Sequence, residues 1–338
     1  MIAIPILRTA LIGGRPGNYF GDGSDGVLNT SGDVNFVSTL DGNPVVKQYT
    51  SVTINVGHTV TTTNRCKGLW IYCLGDVTIN GTLTMTARGA AATGSNVTNA
   101  YSASKAGVDT LFRINDVGSS GGSGSGRSTR SGSTGNNGSS TVGVGLVQLT
   151  TGGGGSGGGP SSAAAGSGGT GTSYGGGTGG GATFGSACDA GDDPAFNGSN
   201  YGASGGVSST SGPSWGGAGT GNPGGVVGGA SCTLNPNGSG PSGTGGIIFI
   251  IAKGNVTVDG VGMISADGVA GGTYVGASGD GGGASGGGAV VILHGGTYTN
   301  SSIVRAIGGA GGEGDYAAGY GPGGIGGDGT VYNTQIDS

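Results

Sequence analysis

Three stretches of the chain carry the same succession of apolar and polar positions. They are GLWIYCLGDVTINGTLTMTARG (Gly68–Gly89), GIIFIIAKGNVTVDGVGMISADG (Gly246–Gly268) and GAVVILHGGTYTNSSIVRAIGG (Gly288–Gly309). Each opens on a continuous apolar run: LWIYCL, IIFIIA or AVVIL. Such a run, bounded by glycine, predicts a strand buried on both faces. A break follows at Gly75, Gly254 or Gly295, and then a short alternating strand, DVTIN, NVTVD or GTYTN. That strand ends six residues after the break, at Gly81, Gly260 and Ser301. A further strand follows (TLTMTA, GMISA, SIVRA), and eight residues after the turn each copy closes, at Gly89, Gly268 or Gly309. Upstream, SVTINVGHTVTTT (Ser51–Thr63) reads as the latter half of another copy, and GTVYNT (Gly329–Thr334) as the start of a truncated one.

Strands of fixed spacing broken by glycine predict stacked β-coils, a solenoid or β-helix-like body. Each copy has an apolar face that it cannot bury alone, and stacking buries it. Val, Ile and Thr suit the pleated ladder that results. The polar stretches lack the i, i+3, i+4 spacing of an amphipathic helix. The expected class is therefore all-β.

Composition changes this picture. Of 338 residues, 90 are Gly. That level, without a Gly-X-Y period, commonly marks a disordered chain. Disordered chains, however, combine low hydrophobicity with high charge. Here only 9 % of residues are charged, and apolar runs interrupt the glycines. A Gly-rich excursion follows each copy: residues 89–245, 268–288 and 309–329. If the copies stack in register, all three leave from one edge and lie side by side. Segments such as TGGGGSGGGP (151–160) then have a way to hold a shape. A polyproline II-type helix has no internal hydrogen bonds, but neighbouring helices of glycine can pair their peptide groups, since only glycine allows the approach. The fold expected is thus Gly-rich stacked β-coils with packed polyglycine II helices; floppy linkers are the plain alternative. Within the first excursion, LFRIN (Leu111–Asn115) and VGVGLVQL (Val142–Leu149) read as strands, and residues 118–140 as a mobile tip. Four regions follow: 1–44, an N-terminal docking segment; 45–92, a first β-coil region; 93–245, a long Gly-rich excursion with exposed loops; and 246–338, β-coil repeats with Gly-rich excursions.

The net charge is −5 and there is no basic stripe, only the isolated pair Arg127 and Arg130, which argues against a nucleic-acid partner. No apolar stretch has membrane-spanning length. The apolar start MIAIPILRTALIGG is broken by Pro5 and Arg8 and reads as a docking arm or first strand rather than a signal peptide. The cysteines Cys66, Cys73, Cys188 and Cys232 form no C-x-x-C pair, so zinc is not expected. Cys66 and Cys73 read as buried thiols, and pairing of Cys188 with Cys232 is left open.

The candidate chemistry points away from catalysis. His58 and His294 lie in strand copies, where packing or edge roles fit better than general base. No G-x-S-x-G elbow sits on a strand-to-helix turn. The acids are sparse: Asp189, Asp192 and Asp193 in CDAGDDP, and Glu313 and Asp315 in GGEGDY. GGIGGDGTV (Gly323–Val331) matches the opening of a calcium nonapeptide, but only once and with its apolar position displaced. GDGSDG (Gly21–Gly26) reads as turns. No enzyme, cofactor or obligatory metal is expected. Binding is better represented. Tyr101, Tyr174, Phe196, Tyr201, Trp215, Tyr274, Tyr316 and Tyr320 lie in Gly-rich or loop segments, as does Phe184. Aromatic rings presented among Ser, Gly and Asn make recognition surfaces, with flat apolar faces and polar edges. Capping the open sides of a glycine stack is the competing role. Trp70 and Tyr72, inside LWIYCL, read as core.

On these residues the chain resembles the Gly-rich tail-fibre adhesins of tailed bacteriophages. YFGDGSDGVLNTSGDV (Tyr19–Val34), VVKQYTSVTINVGHTV (Val45–Val60) and INGTLTMTARGAAA (Ile79–Ala92) are also similar to segments of tailed-phage virion structural proteins. In those adhesins, variable loops at the ends of a polyglycine sandwich bind bacterial surface receptors. One difference is that here the Gly-rich excursions interrupt β-coils. The resemblance implies a virion protein that docks to other tail or fibre proteins through its N-terminal region. Its loops (95–140, 184–240, 272–285 and 310–322) would face a bacterial receptor, a glycan or an outer-membrane protein. Self-association is left open. The alternatives are a capsid or tail decoration protein, and a polysaccharide depolymerase.

Overall fold

A computed structural model describes residues 20–39, 42–89, 244–271, 283–313 and 322–336. This part is all-β, with fifteen short strands and no helix. The strands form three sheets of five. The first holds β1 (Val27–Asn29), β4 (Ser51–Ile54), β7 (Val77–Ile79), β10 (Val256–Val258) and β13 (Tyr298–Asn300), in that order. The second holds β2 (Val34–Phe36), β5 (Thr59–Thr62), β8 (Thr82–Thr84), β11 (Met263–Ser265) and β14 (Ile303–Arg305). The third holds β3 (Val45–Tyr49), β6 (Leu69–Cys73), β9 (Ile247–Ala252), β12 (Ala289–His294) and β15 (Thr330–Gln335). Neighbouring strands pair in parallel throughout. The chain thus visits the three sheets in turn, five times over. Each pass is a tier, and the arrangement is compatible with a stacked β-solenoid.

Register turns the sequence copies into columns of side chains. In the first sheet Ile54, Ile79 and Val258 are successive partners. In the second they are Val60, Leu83 and Ile264. In the third they are Ile71, Ile250 and Ile292. All nine belong to one buried cluster shared by the three sheets. Period-two alternation sends these residues inward and their neighbours outward, so Thr53, Thr78, Thr257 and Thr299 form an outer threonine column on the first sheet. Side chains link the turns before β7, β10 and β13: Asn255 N–H donates to Asp76 Oδ1 at 2.7 Å, and Thr297 N–H to Asn255 Oδ1 at 2.8 Å. The turn from first to second sheet in the fourth tier uses Gly260 at φ 61°, a left-handed position that favours glycine.

The third sheet is buried on its other face as well, as its continuous apolar runs require. Trp70, Tyr72, Ile247, Phe249, Ile251, Ala289, Val291 and Leu293 make a second buried cluster there. Trp70 and Phe249 are register partners with ring centroids 4.5 Å apart. Phe20 and Ile336 pack against this face.

The pairing also reaches into the residues before Val45: β1 and β2 bond to β4 and β5 as the first tier. LFRIN, VGVGLVQL, the 118–140 tip, Cys188 and Cys232 lie outside the described residues.

The register can be checked by cross-linking. Thr78 and Thr257 are direct partners although residues 90–243 lie between them in sequence. With Thr78→Cys and Thr257→Cys together, mild oxidation should give a disulfide linking the two halves, since parallel neighbours lie within disulfide reach. Peptide mapping would find it, and its absence would show that the tiers do not stack in this order.

Candidate functional site

The described loops converge on one corner. In every tier the chain crosses from the second sheet to the third there, through residues 37–44, 63–68, 85–246, 266–288 and 306–329. The first two crossings are short. The other three contain the Gly-rich excursions, so all of these leave beside one another. Parallel register dictates this: once β8, β11 and β14 are stacked and β9, β12 and β15 are stacked, what joins them must emerge at the same place.

At the root of the excursions the peptide groups pair although the backbone is neither helix nor strand. Between outgoing legs, Gly268 N–H donates to Ile307 O (2.8 Å) and Gly271 N–H to Ala310 O (2.9 Å). Between return legs, Gly245 N–H donates to Gly286 O (3.0 Å) and Gly287 N–H to Gly327 O (2.9 Å). Outgoing and return legs also meet: Ser285 N–H donates to Val269 O (3.0 Å), Gly309 N–H to Ser285 O (2.9 Å), and Gly326 N–H to Gly309 O (2.9 Å). Gly309 is therefore bonded to two other segments, at Ser285 and Gly326, and lies against a third at Val269. A Cβ there would collide with Val269 O, and the same addition at Gly326 would strike Ser285 O. These approaches leave no room for a side chain, which is why the sequence is glycine where the legs cross.

Two carboxylates brace the corner. Asp267 is 6 % exposed. Its Oδ1 accepts from Ile307 N–H (3.0 Å), its Oδ2 from Arg305 Nε (2.8 Å), and its own N–H donates to Thr86 Oγ1 (3.1 Å). It thus ties together the third, fourth and fifth tiers. Asp328, in the calcium-like GGIGGDG, accepts from Gly308 N–H at 2.8 Å. Among the described residues no group of three or more His, Cys, Asp or Glu could hold a metal ion.

The remaining chemistry-bearing side chains serve the scaffold. His58 Nδ1 shares a 2.9 Å hydrogen bond with Thr30 Oγ1, across the first two tiers. His294 is buried, its Nδ1 2.8 Å from Gly296 O, and it stacks on Tyr298. Cys66 and Cys73 are buried free thiols, and burial pushes both above the ordinary thiol value. Burial, and then the Asp25 carboxylate, push Tyr49 up to about 12. These groups are held neutral or bonded and do not converge on an open cleft.

Tyr101, Tyr174, Phe196, Tyr201, Trp215, Tyr274, Tyr316 and Tyr320 all lie outside the described residues. What the structure locates is the corner from which their segments leave. The close glycine crossings there follow from the register of the strands on either side. The chain matches no protein-family model, no curated protein and no solved structure.

Gly309→Ala tests the crossing. It should destabilise the protein by about 1–3 kcal/mol, the usual cost of overpacking. Gly32→Ala, at an open position with nothing within 4 Å, should stay within about 0.5 kcal/mol of the parent. Denaturant unfolding of both variants distinguishes a packed glycine root from a slack one, which would tolerate either change.

Proposed function

We propose that the chain is a structural protein of a tailed-bacteriophage virion, a tail-fibre or tail-tip adhesin that binds a host surface receptor without chemistry. The observation that carries this reading is the shared corner: every Gly-rich excursion starts there, and their roots are joined by backbone hydrogen bonds. A body of this kind keeps its side-chain core in the sheets and holds the loop roots by backbone hydrogen bonds, which leaves loop residues free to vary.

In this reading the three sheets form one β-solenoid. The excursions continue from their bonded roots as packed polyglycine II helices, each peptide group paired with a neighbouring helix. The solenoid anchors the helix ends. The N-terminal region docks to other fibre or tail proteins. The loops of residues 95–140, 184–240, 272–285 and 310–322 face the host. Tyr and Trp there supply flat, amphipathic contacts suited to a glycan or to the loops of an outer-membrane protein. The buried thiols and bonded histidines fit a binding role better than a catalytic one.

The test is made on particles that carry the protein. A gold-labelled antibody against the chain should mark the distal end of the tail. Trp215→Ala combined with Tyr201→Ala should cut host adsorption by roughly tenfold or more, the scale of losing aromatic hot spots, while particle yield is unchanged. Label over the capsid with unaltered adsorption would instead identify a decoration protein. Cleavage of host polysaccharide by the purified chain would identify a depolymerase.

A further inference from the structure

The outer face of the third sheet has two columns with apolar centres. One runs Val46, Trp70, Phe249, Val291 and Tyr332; the other runs Gln48, Tyr72, Ile251, Leu293 and Thr334. The six central residues, from β6, β9 and β12, are 0–3 % exposed. The described apolar side chains that pack on this face from outside the sheet are Phe20 and Ile336. Two side chains do not exclude water from six, so the face calls for a further cover. Left open, a contiguous apolar patch of this kind is an interaction site. Trp70 Nε1 is buried there without a hydrogen-bond partner. A buried donor left unpaired is costly, so the cover that suits this face also brings a carbonyl.

The path of the chain before β1 shows where such a cover begins. Gly23 lies just past the ends of β3 and β6: a Cβ there would be 2.8 Å from Thr50 Cγ2 and 2.9 Å from Leu74 Cδ1. Gly21 lies two positions further back, over the register partners Gln48 and Tyr72, where a Cβ would be 2.7 Å from Tyr72 Cβ. Phe20 then joins the cluster of Trp70 and Phe249. Followed towards lower numbers, the chain climbs onto the outer face of the third sheet, running opposite to β6.

Ahead of Phe20 stand two segments outside the described residues. RPGN (Arg15–Asn18) is made of turn residues, and MIAIPILRTALIGG (Met1–Gly14) is an apolar run. A turn at RPGN sends that run back across the face. Extended, residues 2–12 reach about 36 Å at roughly 3.3 Å per residue. The face from β6 to β12 is about 10 Å across the strands and about 20 Å along them, so the run spans it. Pro5 cannot donate to a ladder, but a segment packed on a sheet face needs no ladder bond. The apolar runs in residues 90–243, LFRIN and VGVGLVQL, are shorter, and no described residue leads from them onto this face.

We propose that residues 1–14 are an arm that packs on the outer face of the chain's own third sheet, over Trp70, Phe249 and Ile251. The proposal is independent of receptor binding, and it leaves docking to other virion proteins to residues 15–44. In the full chain, Trp215→Phe makes Trp70 the only tryptophan. Adding Ile4→Asp, Ile6→Asp and Leu11→Asp should then shift Trp70 emission to longer wavelength and raise its quenching by acrylamide several-fold, with β-sheet circular dichroism unchanged. An unmoved Trp70 in a folded variant would overturn the arm and give the cover to residues 90–243. Should the variant lose its circular dichroism, a single photo-crosslinking change in the otherwise parent chain, Ile6→p-benzoylphenylalanine, decides. Irradiation should join position 6 to peptides of β6, β9 or β12 within one chain. Cross-links only between two copies, only to residues 90–243, or none at all would each contradict the proposal. The Thr78–Thr257 disulfide in the same backgrounds separates the failures: if it forms while Trp70 is unmoved, the arm is wrong and the stacked sheets stand.

Discussion

The peptide hydrogen bond that runs from tier to tier is made in two settings. Inside and at the ends of the sheets it has ordinary parallel-strand surroundings, as where Val77 N–H donates to Asn255 O and Val256 N–H to Thr297 O. Beyond the second sheet it continues without strand geometry, through Gly268 and Ile307, then Gly271 and Ala310. The two settings differ in what supports the bond. In the sheets, each tier also buries a column of Val, Ile or Leu. In the glycine legs there is almost no side chain to bury, and a net bond contributes only about 0.5–1.5 kcal/mol. Ordering a residue costs about 1–2 kcal/mol, with glycine losing the most freedom. The legs therefore depend on the columns, which hold their ends in register.

That dependence explains the insertions at one corner. Leu69 pairs with Ile248, and Trp70 with Phe249, across the whole of residues 90–243. An insertion at a fixed corner leaves the paired strands on either side unchanged. Its loop-closure cost grows only logarithmically with length. Asp267 takes Arg305 and the Ile307 amide where the fourth and fifth tiers begin their excursions, so the exit is pinned whatever follows it. A scaffold with these properties separates what must stay constant from what can vary. The proposed adhesin role draws on that separation.

Much of this was legible in the sequence. The three copies have equal offsets, and Gly81, Gly260 and Ser301 fall at equivalent turns between the first and second sheets. LWIYCL and IIFIIA read as strands buried on both faces, and both faces of β6 and β9 are buried. The first tier was harder to see. VLN and VNF are three-residue strands with no continuous apolar run, and VVKQY carries a lysine and a glutamine. From the sequence, residues 1–44 read as a docking segment and the β-coils begin at 45, so β1 and β2 are not anticipated as a tier. The pairing of the glycine legs had no pattern of its own to read, because glycine has no side chain to alternate. It follows from the register of the strands at either end. The aromatic residues singled out for binding sit in segments with no periodicity, so nothing ties them to a place in the fold.

The central claim is that glycine legs bonded across the shared corner form a rigid continuation of the stack. Amide hydrogen exchange resolved over residues 283–288, 306–313 and 322–329 tests it most directly. The account predicts protection at Ser285, Gly309 and Gly326 approaching that of the neighbouring strands β12 and β15. Exchange at the rate of an unstructured peptide would contradict it.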